Sequence, residues 1–216
     1  MGSGHLSVFD LDHTLFRVNS SYKFGTYLYQ QKFFSLPELL ILIGYYAIHK
    51  MGFLTITRLH QKNFGIFVLG RDLSVFQHHV ANFLDKHWDE FIYPPAMEKL
   101  RQAKEDGHYT VIMSGSPDFL VAPIAERLGV KEWQATRYAV DDNRKMCEIS
   151  HVLEGEDKAN YLASLSERLG IAREGITAYS DSILDKPLLM AAGTVVGVNP
   201  DRQLRALCHS RNWQII

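Results

Sequence analysis

The sequence has little cysteine: Cys147 and Cys208 are the only two in 216 residues. No CxxC spacing occurs, so neither a disulfide framework nor a paired-thiolate zinc site is expected, and the chain reads as reduced and cytoplasmic. It also lacks charge of one sign. Its 23 Lys and Arg face 24 Asp and Glu, for a net charge of −1. That leaves no basic field for nucleic acid and no charged tail. No apolar run reaches the roughly 18 residues that a spanning helix needs. LLILIGYYAI, residues 39–48, comes nearest, and Lys50 and Arg58 follow soon after. Short apolar runs are usually core, so a buried helix is expected there. The competing reading is a helix lying on a membrane surface or a lipid tail. A secretory leader is not visible, because Asp10 and Asp12 fall where its apolar stretch would be. The opening MGSGH reads as a tag remnant. His60, His78, His79 and His108 show no ligand spacing such as HExxH, so they are expected to be ordinary helix or surface residues.

Strand and helix signals alternate along the rest, which predicts a parallel sheet covered by helices. The expected strands are LSVFDL (6–11), YTVIMS (109–114), ITAYS (176–180) and TVVGV (194–198), apolar enough for burial on both faces. Ser116-Pro117 reads as an N-cap followed by proline at the first helical position, and Gly129 as the end of that helix. A second helix is expected from near Asp157 to Gly170, and a third from Asp185 with Pro187 in its first turn. Residues 134–150 suggest a hairpin turning at Asp141-Asp142-Asn143. Between the first two strands lies a long insertion. It contains a capping box, Ser35 to Glu38, and helical stretches at 57–67 and 73–87. The expected organisation is an α/β core, a Rossmann-like parallel sheet, formed by 1–16 and 94–216. A mostly helical cap, 17–93, is inserted after the first strand.

Acids stand at the ends of two expected strands. Asp10 and Asp12 are spaced i, i+2, so both carboxylates point the same way on an extended chain, where α/β sheets bind ligands. They would repel without a cation or a shared proton. A solvated loop is the bland alternative, and it leaves unexplained why acids interrupt the apolar VF and L. Asp181 and Asp185 follow ITAYS. Asp185 could simply cap its helix; Asp181 has no such role. Hard oxygen ligands of this kind suit Mg²⁺, which keeps waters and binds substrate phosphate. Ser114-Gly115-Ser116 brings a hydroxyl and a fresh helix N-terminus, a modest anion-site signal that capping alone could explain. Lys158 lies in the first turn of a helix, where the macrodipole disfavours a cation unless an anion needs it. Charge balance by Glu154, Glu156 and Asp157 is the alternative.

DLDHT, MSGS, Lys158 and SDSILD follow the order of the four motifs of the haloacid dehalogenase superfamily, which the chain resembles from about Val8 to Ile216. The insertion resembles the cap of the phosphoserine-phosphatase-like branch. The resemblance implies a phosphatase with Asp10 as nucleophile, forming an aspartyl-phosphate, and Asp12 as general acid and base. It implies Mg²⁺ held by Asp10, the Asp12 main-chain carbonyl and Asp181, with Asp185 behind them. Ser114, the Gly115 N–H and Lys158 would bind the phosphoryl oxygens, and Thr14 would brace the turn. Three departures stand out. RVNSS, 17–21, has no acid where the branch places a glutamate that reads the substrate ammonium. Ser180 and His13 stand where glycine is frequent. The aromatic insertion, with Tyr22, Phe24, Tyr27, Phe33, Phe34, Tyr45 and Tyr46, is also similar to that of bacterial phosphatidylglycerophosphate phosphatases, although such residues could equally pack a core of their own. Small phosphorylated metabolites and lipid phosphates are therefore both expected partners. Two further readings stay open: a non-catalytic Mg²⁺ or phosphate-binding module, and a mutase on the same fold. Retention of Asp12 argues against the first, and Asp12 with Asp181 argues against a dehalogenase, which needs no Mg²⁺ acids.

Overall fold

The computed structural model describes residues 4–216; Met1–Ser3, the start of the segment assigned to the core and of the MGSGH remnant, lie outside it. A seven-stranded sheet runs through the molecule in the order β4-β3-β2-β1-β5-β6-β7. The strands are β1 (Leu6–Phe9), β2 (Tyr109–Pro117), β3 (Glu132–Val140), β4 (Met146–His151), β5 (Ile176–Ser180), β6 (Thr194–Gly197) and β7 (Gln214–Ile215). All neighbours are parallel except the β3–β4 hairpin. β1 is fully buried, flanked by β2 and β5 in register Val8↔Val111 and Val8↔Ala178. Its apolar run is therefore covered on both faces, as a central parallel strand requires.

Helices α1 (Ser20–Gln30), α2 (Leu36–Lys50), α3 (Ile56–Asn63), α4 (Leu73–Phe91) and α5 (Pro94–Glu105) separate β1 from β2. A π-helical turn, Phe64–Val68, continues α3. The chain leaves and returns at one place. Phe16 bridges to Ile92, the Arg17 N–H donates to Phe91 O at 2.7 Å, and the Tyr93 N–H donates to Leu15 O at 2.9 Å. A second attachment ties the insertion to the β3–β4 hairpin, where the Gly70 and Leu73 N–H groups donate to Met146 O (2.8 Å) and Arg144 O (3.0 Å). One apolar cluster runs from Phe9 and Ile112 on the sheet through Phe24, Phe83 and Phe76 of the insertion to Leu120. The sheet's other face is covered by α7 (Gly155–Leu169), α8 (Lys186–Ala191) and α9 (Arg202–Arg211) around Val8, Leu162, Leu188 and Leu204.

Several expectations meet corrections. β1 stops at Phe9, because Asp10 to Leu15 turn back on themselves, with Phe16 N–H donating to Leu11 O at 2.9 Å. β2 extends through Pro117, so Ser116 is not an N-cap; α6 (Asp118–Leu128) starts after Pro117 with no side-chain cap. Gly129 and Gly170 do end their helices, in the left-handed conformation that glycine adopts without penalty. The capping box at Ser35 and Glu38 is present, but the helix it opens carries no buried residue. Leu36, Leu40, Ile41 and Ile48 of α2 are exposed. A buried α2 is thus overturned: its inward face borders a cavity rather than packed core.

Candidate functional site

The carboxyl ends of β1, β2 and β5 bring together residues from four stretches of chain. Asp10, 7% exposed, is the first residue past β1. Its N–H donates to Tyr179 O at 2.9 Å. From α7, the buried Lys158 donates through Nζ to Asp10 Oδ1 at 2.6 Å and to Asp185 at 2.9 Å. Asp185 also accepts the Ser180 hydroxyl at 2.7 Å. It stands at the N-cap position of α8 but makes no side-chain cap bond there; its side chain turns inward. Ser180, which stands where glycine is frequent, supplies a hydroxyl that glycine lacks. Gly155 explains how α7 comes so near: a Cβ there would lie 2.2 Å from the Leu184 main-chain oxygen. Only glycine lets the start of α7 press against the turn carrying Asp185, and that approach sets Lys158 between two carboxylates.

Asp12 is held from another side. Its Oδ1 accepts the Ser20 N–H at 2.7 Å and its Oδ2 accepts the Ser116 hydroxyl at 2.6 Å. Ser21 Oγ lies 2.6 Å from Ser116 Oγ. Because Ser116 donates to Asp12, Ser21 donates to Ser116. The first turn of α1 thus holds Asp12 through two routes. Ser114 is buried, and its Oγ accepts the Ser116 N–H at 3.1 Å. The Gly115 carbonyl accepts the Thr136 hydroxyl at 2.7 Å. Thr14, fully buried, donates to Asp181 Oδ1 at 3.5 Å, so it links the turn after β1 to the acid after β5. His13 adopts φ 62°, the left-handed region, which accounts for glycine being frequent at such a position.

Four carboxylates share the site with one ammonium, and the charges are unbalanced. Burial, followed by Asp185 and Asp12, pushes Asp10 up to about 7 against the pull of Lys158. Burial, followed by Asp10 and Asp185, pushes Asp181 up to about 8. Burial opposes the charge on Lys158, yet Asp10 and Asp185 outweigh it and raise its pKa. The partners move in seemingly opposed senses, since a salt bridge alone would lower Asp10. Burial resolves this: on Asp10 it outweighs the pull of Lys158 and the neighbouring carboxylates add to it, while on Lys158 the two carboxylates outweigh burial. Among the described residues no cluster of three or more His, Cys, Asp or Glu side chains forms a ready-made metal site. Asp10 and Asp181 remain as a crowded pair of hard oxygen donors whose negative charge is under-compensated. That donor set fits Mg²⁺, which takes one or two carboxylates and fills its shell with other oxygens.

Beside this cluster lies a cavity of about 230 Å³. Asp10, Asp12 and Ser114–Ser116 border it on one side; Leu28, Phe34, Leu42, Phe67 and Phe76 border it on another. His60 of α3, buried, adds its imidazole, with Nδ1 2.8 Å from the Tyr138 hydroxyl. Burial pushes His60 down to about 4 and holds Tyr138 above the usual phenol range. Sequence reasoning missed Ser20, Ser21 and this pair, and left His60 without a role. Tyr138 sits on a strand far away in sequence, and no local signal announces it.

The family description haloacid dehalogenase-like hydrolase matches residues 7–190. This chain is a haloacid dehalogenase-like hydrolase. A Mycobacterium tuberculosis protein named Probable phosphatase is 36% identical over 125 residues, 58% of this hydrolase and 44% of that protein. The hydrolase therefore spans less than half the length of that relative. Another from the same organism, named phosphoserine phosphatase SerB1, is 30% identical over 213 residues, 96% of this chain and 68% of that one. Among solved structures, a Bordetella pertussis Tohama I protein of unknown function superposes with TM-score 0.89 at 24% identity, covering 100% of this chain and 99% of that one. A phospho-aspartyl intermediate analogue of phosphoserine phosphatase gives TM-score 0.72 at 18% identity, over 99% and 93% of the two chains. Both share the fold. Among the described residues no helix is long and apolar enough to cross a membrane.

Proposed function

We propose that this hydrolase is a Mg²⁺-dependent phosphomonoester hydrolase working through an aspartyl-phosphate on Asp10, with residues 17–93 as a cap over the site. One observation carries the reading. Asp10 is a buried carboxylate with Lys158 at 2.6 Å and a second carboxylate, Asp12, held separately by Ser116 and Ser20. A nucleophile and a proton carrier are thus distinct groups facing one space.

In the first step an Asp10 oxygen attacks phosphorus as the ester P–O bond breaks, and Asp12 gives its proton to the departing alcohol oxygen. In the second, Asp12 takes a proton from water as that water attacks phosphorus, releasing phosphate and restoring Asp10. Ser114, the Gly115 N–H and Lys158 bind the phosphoryl oxygens and offset their charge during transfer. Asp185 holds Lys158 in place, helped by Ser180. Asp10, the Asp12 main-chain carbonyl and Asp181 would hold Mg²⁺, which when bound supplies positive charge to the carboxylates and phosphoryl oxygens. The relative named phosphoserine phosphatase makes phosphoserine the first small substrate to try, although 17–21 offers no acid for its ammonium. Peripheral membrane contact through the cap belongs to the same reading. Nine of the eleven exposed large apolar residues fall between Leu36 and Val75. Lys50, Arg58, Lys62 and Arg71 lie in that stretch.

The test is phosphate release from a panel of monoesters with Mg²⁺, using Asp10→Asn as blank. Release above the blank that stops on chelation supports the reading. Release equal to the blank on every ester would favour the non-catalytic binding module instead.

A further inference from the structure

We propose that the alcohol part of the substrate is an apolar chain, seated in the cavity that continues from Asp10 and Asp12 into the insertion. This deepens the phosphomonoester reading and rests on it. The cavity holds about 230 Å³. A buried apolar cavity of about 150 Å³ already stays dry and accepts an apolar guest. Here the space is not sealed off from chemistry, because Asp10, Asp12 and Ser114 stand at one side of it.

The lining decides what can enter. Away from the carboxylates, aliphatic and aromatic side chains from α1, α2, α3 and the π-helical turn make most of the wall. The polar residues at depth carry no charge: His60 and Tyr138 satisfy each other at 2.8 Å, and Asn63 is an amide. Burial keeps the His60 imidazole neutral at ordinary pH. Beyond Asp10 and Asp12, Lys50 is the one permanently charged lining residue, and it is solvent-exposed on α2. A zwitterionic alcohol such as serine would need both an anion and a cation held deep in the pocket. This wall offers it neither. An alkyl chain needs only apolar surface.

Gly25 adds an independent observation. It sits inside α1, where glycine weakens a helix, and it borders the cavity. A Cβ on it would lie 3.0 Å from Leu42 Cδ1 of α2. The missing side chain lets Leu42 of α2 pack directly against α1 at the cavity wall.

The test uses the full chain with Mg²⁺ and monophosphates of straight-chain primary alcohols, from ethyl to dodecyl, kept below their micelle concentrations. Each buried CH₂ is worth roughly a fourfold gain in binding. kcat/KM should therefore rise at least about 100-fold from ethyl to octyl. Gly25→Leu should lower the octyl-to-ethyl ratio at least about tenfold, because the added side chain and the Leu42 it displaces take up cavity space. Leu42→Trp, on a helix with no buried residue, does the same by another route. The ratio is read within each variant, so a smaller folded fraction cancels. A second arm presents hexadecyl phosphate in phosphatidylcholine vesicles containing phosphatidylglycerol, against octyl phosphate free in solution. Faster turnover in vesicles assigns the chain to a membrane amphiphile, and faster turnover in solution to a soluble one; both uphold an apolar chain. Hydrolysis that is flat or falls with chain length overturns the proposal and leaves the phosphatase reading standing. Release no greater than the Asp10→Asn blank on every ester overturns both.

Discussion

Without a metal ion this protein should become less stable as pH rises through neutrality, the reverse of most acid-sensitive folds. Asp181 is pushed from 3.8 up to about 8, first by burial and then by Asp10 and Asp185. A carboxyl whose folded pKa lies above its unfolded value binds an extra proton in the folded state. Its stabilisation is complete below pH 4 and is lost as pH rises through the folded value, at about 1.4 kcal/mol per pH unit for one proton. His60, pushed down to about 4, acts in the opposite sense: its stabilisation is present above the ordinary histidine pKa and is lost as pH falls. The two oppose each other below about pH 6.5, so the clear window for Asp181 is pH 6.5 to 8. Across it the loss should be about 2 kcal/mol. Asp10, raised to about 7, adds a smaller part. The assay is urea unfolding at each pH in EDTA, repeated with excess Mg²⁺. In EDTA the unfolding free energy should fall by about 2 kcal/mol from pH 6.5 to 8. Mg²⁺ should flatten the fall, because a bound dication stabilises the ionised carboxylates. Asp181→Asn should also flatten it, and at pH 8 in EDTA should be more stable than the parent. Stability that rises across this window in EDTA, or an Asp181→Asn protein less stable at pH 8, would refute the crowding of these acids.

Other perturbations test the site's parts. Gly155→Ala forces a Cβ to within 2.2 Å of the Leu184 main-chain oxygen; it should destabilise by more than about 2 kcal/mol and lower kcat more than it raises KM, measured by urea unfolding and steady-state kinetics. Tyr138→Phe leaves the buried His60 Nδ1 without its 2.8 Å partner and should cost about 1–3 kcal/mol, whereas the double variant with His60→Leu should recover much of that. His13→Gly relieves a φ of 62° and should leave the melting temperature unchanged or raise it by the equivalent of about 1 kcal/mol. Ser116→Ala removes the 2.6 Å hydrogen bond to Asp12; it should lower kcat about 10-fold or more while phosphate binding, read by competitive inhibition, changes little.

Legibility in the sequence followed the range of the physics. Asp10, Asp12, Lys158 and Asp181 could be singled out because each breaks a local rule: an acid where a buried strand ends, a cation where a helix begins; Asp185, compatible with a plain helix cap, stood out only through the motif order. Turn and cap chemistry was legible for the same reason, at Ser35, Gly129 and Gly170. α1 was not. SSYKFGTYLYQ combines glycine with aromatics, and its helix stands on the packing of Phe24, Tyr27 and Leu28 against α4 rather than on propensity. The fate of α2 was misjudged because ten uncharged residues report how apolar a helix is, not which face meets protein. Ser-Pro at 116–117 is a local cap signal, whereas the actual partner of Ser116, Asp12, lies 104 positions away.

That long-range hydrogen bond connects the two halves of the functional reading. Ser20 and Ser21, in the first turn of α1, hold Asp12 directly and through Ser116. Phe24, Gly25 and Leu28, one and two turns further on, line the cavity. A rigid helix cannot shift one set without the other. Whatever occupies the cavity therefore bears on the element that orients Asp12, the proton carrier of the proposed reaction. An occupant touching Gly25 and Leu28 would add to the packing that Phe24, Tyr27 and Leu28 already give this helix. In the proposed reading, selection of the alcohol and placement of the acid that protonates it both fall to one eleven-residue helix, so truncated esters should lose kcat as well as affinity.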